Sequence, residues 1–152
     1  MVKTGGSGMA TPVPDPDDDQ SVGNSEIVWH LIEPQYYDDD PNNPGTKIIK
    51  SGTFAHGKSG VSFVRPAQGV TKDFIHKHFP KFGIAAIKVE DIRQQAKCLF
   101  VIENDQTVPS IPWPTDSHIC AYKSPGKKRI KGGRIDTLIQ LAEKNLIEAP
   151  TA

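Results

Sequence analysis

The residues that follow Ser59 constrain the fold of this chain more than any other stretch. Residues 52–59 read GTFAHGKS and match G-x-x-x-x-G-K-[ST], the pattern of a loop that holds phosphate at the start of a helix. The next residues, GVSFVRP, begin with glycine and end with proline, which both oppose a helix, and their valines and alternating polarity favour a strand. We therefore predict a β-hairpin turn at Gly52–Ser59 and retain nucleotide binding there as the last of three functional alternatives.

Short apolar runs separated by turn residues divide the rest of the chain into secondary-structure elements. Thr71 can cap a helix over 71–79, and a second helix is predicted over 89–97. A third helix is predicted near the C-terminus, where an apolar face recurs at helical spacing through Ile135, Leu138, Ile139, Ala142 and Leu146. Strands are predicted over the runs 27–32, 47–54, 61–65, 83–89, 98–104 and 117–122.

These elements predict an α+β fold. We expect about five mostly antiparallel strands with two or three helices on one face of the sheet. The run CLFVIEN, residues 98–104, is the most apolar in the chain and is therefore predicted to be a central strand.

The length of 152 residues is enough for one ordinary domain. Residues 1–26 consist largely of Gly, Pro, Ser and Asp and have little to bury, so they are predicted to be a disordered acidic tail. The single α+β domain is predicted to span residues 27–149.

The cysteine content and the apolar runs bear on the compartment. Cys98 and Cys120 lie in apolar contexts without C-x-x-C spacing, which favours two buried thiols in a reducing compartment over a disulfide. No run is apolar enough to span a membrane, and the N-terminus lacks the basic start and apolar block of a secretory signal. We therefore predict a cytoplasmic protein with no membrane contact and no cofactor.

The charges balance overall but not locally. Lys plus Arg equals Asp plus Glu at 18 each, yet residues 123–134 contain six basic residues and no acidic one. Gly132 and Gly133 would let the backbone approach an anion, and a helix beginning near Arg134 would offer free N–H groups. The leading prediction is therefore a binding or accessory module for an acidic partner, either RNA or DNA backbone or an acidic protein surface, with contacts from Lys127, Lys128, Arg129, Lys131 and Arg134 and base stacking from Trp113 and Tyr122.

A second pattern resembles a set of small uncharacterised bacterial proteins. It runs from Ser51-x-x-Phe54 through Ser62 and the strand-like FGIAAI, residues 82–87, to Arg93 and the strand DSHICAY with His118. The resemblance covers roughly residues 27–122. It implies a strand after Ser59 and draws attention to Ser51, Arg93 and His118, but it implies no activity.

The histidines supply the second functional alternative. No His, Cys or acidic spacing matches a zinc site, so no metal is predicted. If the turn that carries His56 and the loop before His118 converge, the two imidazoles could act as general acid and base with Arg93 as an anion clamp. The resulting alternative is a phosphoryl-transfer or hydrolytic enzyme, with Ser51 and Asp116 as conjectural further members.

Overall fold

The computed structural model of the chain describes residues 15–54, 60–103 and 111–151. Within these ranges the chain forms a six-stranded antiparallel sheet, a two-stranded ribbon and three α-helices, which confirms the predicted α+β class. The six strands are β1 (Ile27–Ile32), β4 (Val61–Val64), β5 (Gly83–Lys88), β6 (Cys98–Ile102), β7 (His118–Lys123) and β8 (Leu146–Glu148), in the order β6-β7-β4-β1-β5-β8. The ribbon pairs β2 (Tyr37–Asp39) with β3 (Lys47–Ile49).

The backbone after Ser59 is extended, as predicted, but it does not form the predicted hairpin. β4 pairs with β1 and β7, whereas β3 pairs with β2 in the separate ribbon. Ser51–Phe54 turns into a short 3-10 helix in place of the predicted strand, because Phe54 stacks on the buried ring of His30 at 4.4 Å between centroids. The turn residues 55–59 lie outside the described residues. In a phosphate-binding loop, a helix follows the Lys-Ser pair and its N-terminus faces the phosphates. In this protein a strand, β4, lies in that place, so the structure does not provide the helix that nucleotide binding would require.

The large sheet has two covered faces because its side chains alternate. On one face, Phe63, Ile87 and Ile119 pack against α2 (Val89–Gln95) and α3 (Gly133–Lys144). On the other face, the side chains of β1, β4 and β5 pack against α1 (Lys72–His78). Two helices, α2 and α3, thus lie on one face of the sheet, within the predicted two or three, and α1 covers the other face.

The most apolar strand, β6, lies at an edge of the sheet, so the prediction of a central strand is wrong. Its outer side is nevertheless covered by the N-terminal segment. The Asp19 amide donates to the Phe100 carbonyl at 2.8 Å, and the Phe100 amide donates to the Asp18 carboxylate at 2.9 Å. Phe100 is fully buried as a result. A strand at an edge can be as apolar as a central one when another segment satisfies its backbone groups.

Residues 15–26, which we predicted to belong to a disordered tail, pack against the domain. Val22 is fully buried, and the Arg93 guanidinium donates to the Asp18 carboxylate, the Asp19 carbonyl and the Asn24 side chain. We refer to residues 15–26 as the N-terminal strap. The ordered chain thus begins before the predicted boundary at Ile27, and residues 1–14 lie outside the described residues.

The helices end close to where the sequence predicts. The Thr71 hydroxyl accepts a hydrogen bond from the Phe74 amide at 3.1 Å and caps α1, as predicted. The C-terminal helix stops at Lys144, and Leu146, assigned to that helix from its spacing, instead begins β8 at the edge beside β5. In the ranges that the structure describes, no helix is long and apolar enough to cross a membrane.

Candidate functional site

The basic loop, residues 123–134, connects β7 to α3 and is fixed at both of its ends. The Lys123 amide donates to the Lys128 carbonyl at 2.6 Å, and the Lys128 amide donates back to the Lys123 carbonyl at 3.2 Å. Further along, the side chain of Ile130 is buried in the main core with 4% of its surface exposed. A pair of backbone bonds and one apolar anchor therefore hold the loop on the domain.

Most cations of the basic loop are exposed and are not neutralised by neighbouring acids. Four of them are exposed side chains, and no ion pair among the described residues includes any of the four: Lys127, Lys128, Arg129 and Lys131. The Lys127 ammonium lies 5.2 Å from the centroid of the Tyr122 ring. The surface around these side chains consequently has a local positive charge although the whole chain is neutral.

One acid of the N-terminal strap reaches the start of the basic loop. The Asp15 carboxylate accepts a hydrogen bond from the Ser124 hydroxyl at 2.8 Å. Hydrogen bonds from the Asp17 amide and from Ser124 lower the pKa of Asp15 below its ordinary value. Among the described contacts, Asp15 meets the basic loop at Ser124 and at the Gly126 backbone, and not at the four exposed cations.

A groove of about 380 Å³ lies where the basic loop enters α3. No side chain caps the start of this helix, whose first residue is Gly133. Gly132 before it has φ +63°, a conformation that favours glycine, with no atom within 4 Å of the position a Cβ would take. Uncapped amides at a helix start attract anions. The groove is lined by Ser51, Arg129, Ile130, Lys131, Gly132, Gly133, Ile135 and Asp136.

Arg134, also predicted to contact the partner, is turned toward the protein. It is half-buried, and its Nε atom is buried with no hydrogen-bond partner within the described part of the chain. Burial raises the pKa of the Cys98 thiol to about 12, and the positive charge of Arg134 opposes that rise. Arg134 is thus less accessible to a partner than the four exposed cations.

Of the two aromatic residues predicted to stack on bases, Trp113 packs elsewhere in the fold, and Tyr122 lies beneath Lys127 of the basic loop but is buried. Trp113 packs against Phe74 at 5.0 Å and Phe79 at 5.9 Å between ring centroids, beneath α1. Trp113 precedes β7 and the basic loop begins at the last residue of β7, so the two lie at opposite ends of this strand. Tyr122 is 8% exposed and donates its hydroxyl to the Glu103 carboxylate. The sequence therefore located the cations but not the aromatic contacts.

Arg93 and His118 lie on opposite faces of the large sheet, so the predicted constellation with Arg93 as anion clamp does not form. The Arg93 guanidinium lies 5.7 Å above the ring of Phe100, and Phe100 shares a face with its cross-strand partner Ala121. His118 is three residues before Ala121 in β7 and points to the other face. Arg93 instead holds the N-terminal strap. His56 lies outside the described residues.

His118 belongs to a polar cluster on its own face of the sheet. Its Nδ1 atom lies 2.8 Å from the Glu103 carbonyl oxygen, and its Nε2 atom lies 3.1 Å from the Ser62 hydroxyl. Burial raises the pKa of the adjacent Cys120 thiol to about 11, and a hydrogen bond with Ser62 opposes that rise. Burial also raises the pKa of Tyr122, and its hydrogen bond with Glu103 adds to the effect.

The other conjectural members of the enzyme site lie elsewhere. Ser51 lines the groove at the start of α3. Asp116 has φ +59°, and its carbonyl accepts a hydrogen bond from the buried Arg65 at 3.0 Å. Neither residue has a contact with His118 among the bonds of the described residues, so the polar cluster consists of residues that the sequence analysis did not group.

The remaining described histidines have structural partners. His30 is buried, with Nδ1 2.9 Å from the Ser62 carbonyl oxygen. His76 contacts the Glu148 carboxylate at 2.5 Å, whereas His78 lies on another side of α1, 4.7 Å from the Phe74 ring. Within residues 15–54, 60–103 and 111–151, no group of three or more His, Cys, Asp or Glu side chains could hold a metal ion.

Comparisons with known proteins add no further site residue to this description. Neither a protein-family model, nor a curated protein, nor a solved structure matches the chain.

Proposed function

We propose that this protein is a small accessory module that binds the phosphate backbone of a nucleic acid through the basic loop. The observation that carries the proposal is the set of four exposed cations without ion-pair partners among the described residues: Lys127, Lys128, Arg129 and Lys131. Phosphates that bind such a surface release condensed counterions, which supplies a favourable and salt-sensitive free energy of binding.

The anchoring of the loop favours binding because less ordering entropy is lost when a partner arrives. The buried Ile130 and the bridge between Lys123 and Lys128 hold the loop backbone before any contact forms. Only the long side chains of the exposed cations then have to be ordered.

The groove at the start of α3 has the donors to bind an anion. Uncapped amides near Gly133, the Ser51 hydroxyl and the cations of Arg129 and Lys131 would all favour an anion there. Asp136 lines the same groove and offsets part of this charge. Affinity should therefore depend on the loop as a whole and not on the groove alone.

The expected binding has little base selectivity. Trp113 packs beneath α1 and the ring of Tyr122 is buried, so no open aromatic platform for base stacking lies beside the basic loop among the described residues. Contacts to phosphate position a protein on nucleic acid but do not read its sequence. We place this activity in the cytoplasm, where the free, buried thiols of Cys98 and Cys120 would stay reduced.

Retention on a polyanion column at low salt tests the proposal. We expect the triple variant Lys127→Ala, Lys128→Ala, Arg129→Ala to lose retention, because it removes three of the four exposed cations of the basic loop. The control is Lys72→Ala, Lys77→Ala, Lys81→Ala, which removes the same charge from exposed lysines on and just after α1. This control should be retained like the parent protein. Unchanged retention of the loop variant would contradict the proposal.

Two soluble polyanions distinguish the possible partners. We expect the parent protein to bind polyuridylate RNA and to bind polyglutamate more weakly, because the uncapped amides at the start of α3 and the Arg129 guanidinium can donate to several oxygens of one phosphate. Binding of polyglutamate without binding of RNA would replace nucleic acid by an acidic protein surface as the partner.

A further inference from the structure

We propose that Ser62 and His118 form a nucleophile and general-base pair that cleaves small carboxylic esters. The Ser62 hydroxyl lies 3.1 Å from Nε2 of His118, within the range of a serine–histidine hydrogen bond. Ser62 is on β4 and His118 on β7, and the antiparallel pairing of these strands places both side chains on the same face of the sheet.

The carbonyl of Glu103 fixes the protonation pattern that this chemistry requires. A carbonyl oxygen only accepts, so the Nδ1 atom of His118, 2.8 Å away, must donate its proton to it. In the neutral ring the Nε2 atom then has a free lone pair, and the Ser62 hydroxyl donates to it. Glu103 therefore serves as the positioning residue for the base, as the third member of a catalytic triad does.

The surroundings of the pair suit a small acyl group. Ser62 and His118 are each partly exposed, so a small molecule can reach them. On the same face, Leu99, Cys120 and Tyr122 form a buried apolar cluster, and the partly buried Val101 packs against it. Val101 is the side chain of this cluster that a short acyl chain would contact, and the partial burial of the pair strengthens its hydrogen bonds relative to water.

The reaction proceeds in two balanced steps. In the first, the Ser62 oxygen attacks the ester carbonyl while its proton moves to Nε2 of His118, and the same proton then passes to the departing alkoxide, which leaves as an alcohol. In the second, His118 takes a proton from water, the hydroxide attacks the acyl-serine, and the proton returns to the Ser62 oxygen as the carboxylic acid leaves. No oxidant, reductant or metal takes part. The four exposed cations of the basic loop are not used, so this activity is independent of polyanion binding.

A fluorophosphonate probe tests the pair directly because it modifies only activated serines. We expect the parent protein to be labelled at Ser62, as mapped by peptide mass spectrometry, and to hydrolyse p-nitrophenyl acetate. Ser62→Ala should lose both signals. His118→Asn should slow labelling at least about 100-fold, the usual contribution of a general base.

Ser21→Ala is the matched control, since the Ser21 hydroxyl donates to the Asp19 carboxylate and not to an imidazole. Its labelling should equal that of the parent protein. Circular dichroism checks that each variant is folded, and His118→Gln replaces His118→Asn if the latter is not. The proposal is overturned if the folded parent protein is not labelled at Ser62 under conditions that label a known serine hydrolase. Labelling at Ser62 that is equally fast without His118 also overturns it.

Discussion

The ion pair between Arg65 and Glu26 is the least exposed ion pair among the described residues. The Arg65 side chain is 3% exposed and Glu26 is 12% exposed, and two guanidinium nitrogens donate to the carboxylate at 2.7 and 2.8 Å. This hydrogen bonding raises the pKa of Arg65, so the guanidinium stays charged in the interior. The pair also connects the end of the N-terminal strap to the residue after β4.

Removing Glu26 should therefore strongly destabilise the fold. We expect Glu26→Ala to lower the free energy of unfolding by about 3–5 kcal/mol, because it leaves a buried charge unpaired. The matched control is Asp39→Ala, which breaks an ion pair with Lys47 whose side chains are 76% and 50% exposed. That change should cost far less, because solvent screens the attraction between two exposed charges. Urea unfolding measures both values, and equal costs would show that the Arg65 pair is not a buried structural interaction.

The predictability of single residues depends on how far away their partners lie in the sequence. The Thr71 cap was predictable because its partner is three residues away. The contact between Ser62 and His118 was not, since it joins residues 56 positions apart and depends on the pairing of β4 with β7. Alternation within the two strands gives the face of each side chain, but only the pairing brings the faces together.

At the level of elements, the main difference from the sequence predictions is that the polar N-terminal strap covers the outer side of β6, an apolar strand at the edge of the sheet. The sequence 15–26 has few apolar residues, which favours disorder, while the apolar β6 suggests a central strand. In the structure each feature explains the other, because the aspartates of the strap satisfy backbone groups of β6 and the guanidinium of Arg93. Predictions from local composition take no account of hydrogen bonds between segments that lie far apart in the sequence.

Truncation tests this relationship. A chain that begins at Ile27 should be less stable than one that begins at Asp15, because it loses the buried Val22 and exposes the backbone of Phe100 at the edge. The truncation also removes Glu26 and leaves the buried Arg65 unpaired, so we expect a loss of at least about 3 kcal/mol. The shorter chain should also self-associate through its open edge. Thermal unfolding and sedimentation measure the two effects. If both chains were equally stable and both were monomeric, the strap would neither stabilise the fold nor protect the edge of the sheet.

The phosphate-loop pattern is another case in which element packing determines the outcome. Gly52 lies against the ring of Tyr36, and a Cβ at Gly60 would lie 2.8 Å from the Ala121 carbonyl oxygen. Close packing therefore requires glycine at both positions irrespective of any phosphate. Local preference correctly predicted β4, whereas the 3-10 helix at Ser51–Phe54 arises from the tertiary contact of Phe54 with His30.

Across the whole molecule, a net charge of zero conceals a separation of charges. Strap aspartates engage Arg93 and Ser124, while the exposed cations of the basic loop have no such partners within the described chain. Long-range attraction to polyanions should consequently come from one loop and not from the protein as a whole. The sequence was sufficient to identify this loop because clustered charges are visible without any knowledge of the fold.

The salt dependence of RNA binding tests the central claim most directly. Fluorescence anisotropy with a single-stranded RNA gives the slope of log K against log salt, which reports the number of phosphates neutralised, at about 0.7 per phosphate. We expect the loop triple variant at Lys127, Lys128 and Arg129 to reduce the magnitude of the slope by about 2, since three such contacts are lost. The control at Lys72, Lys77 and Lys81 should keep the parent slope. If the loop variant keeps the parent slope, or the control loses it equally, the basic loop is not the polyanion-binding surface.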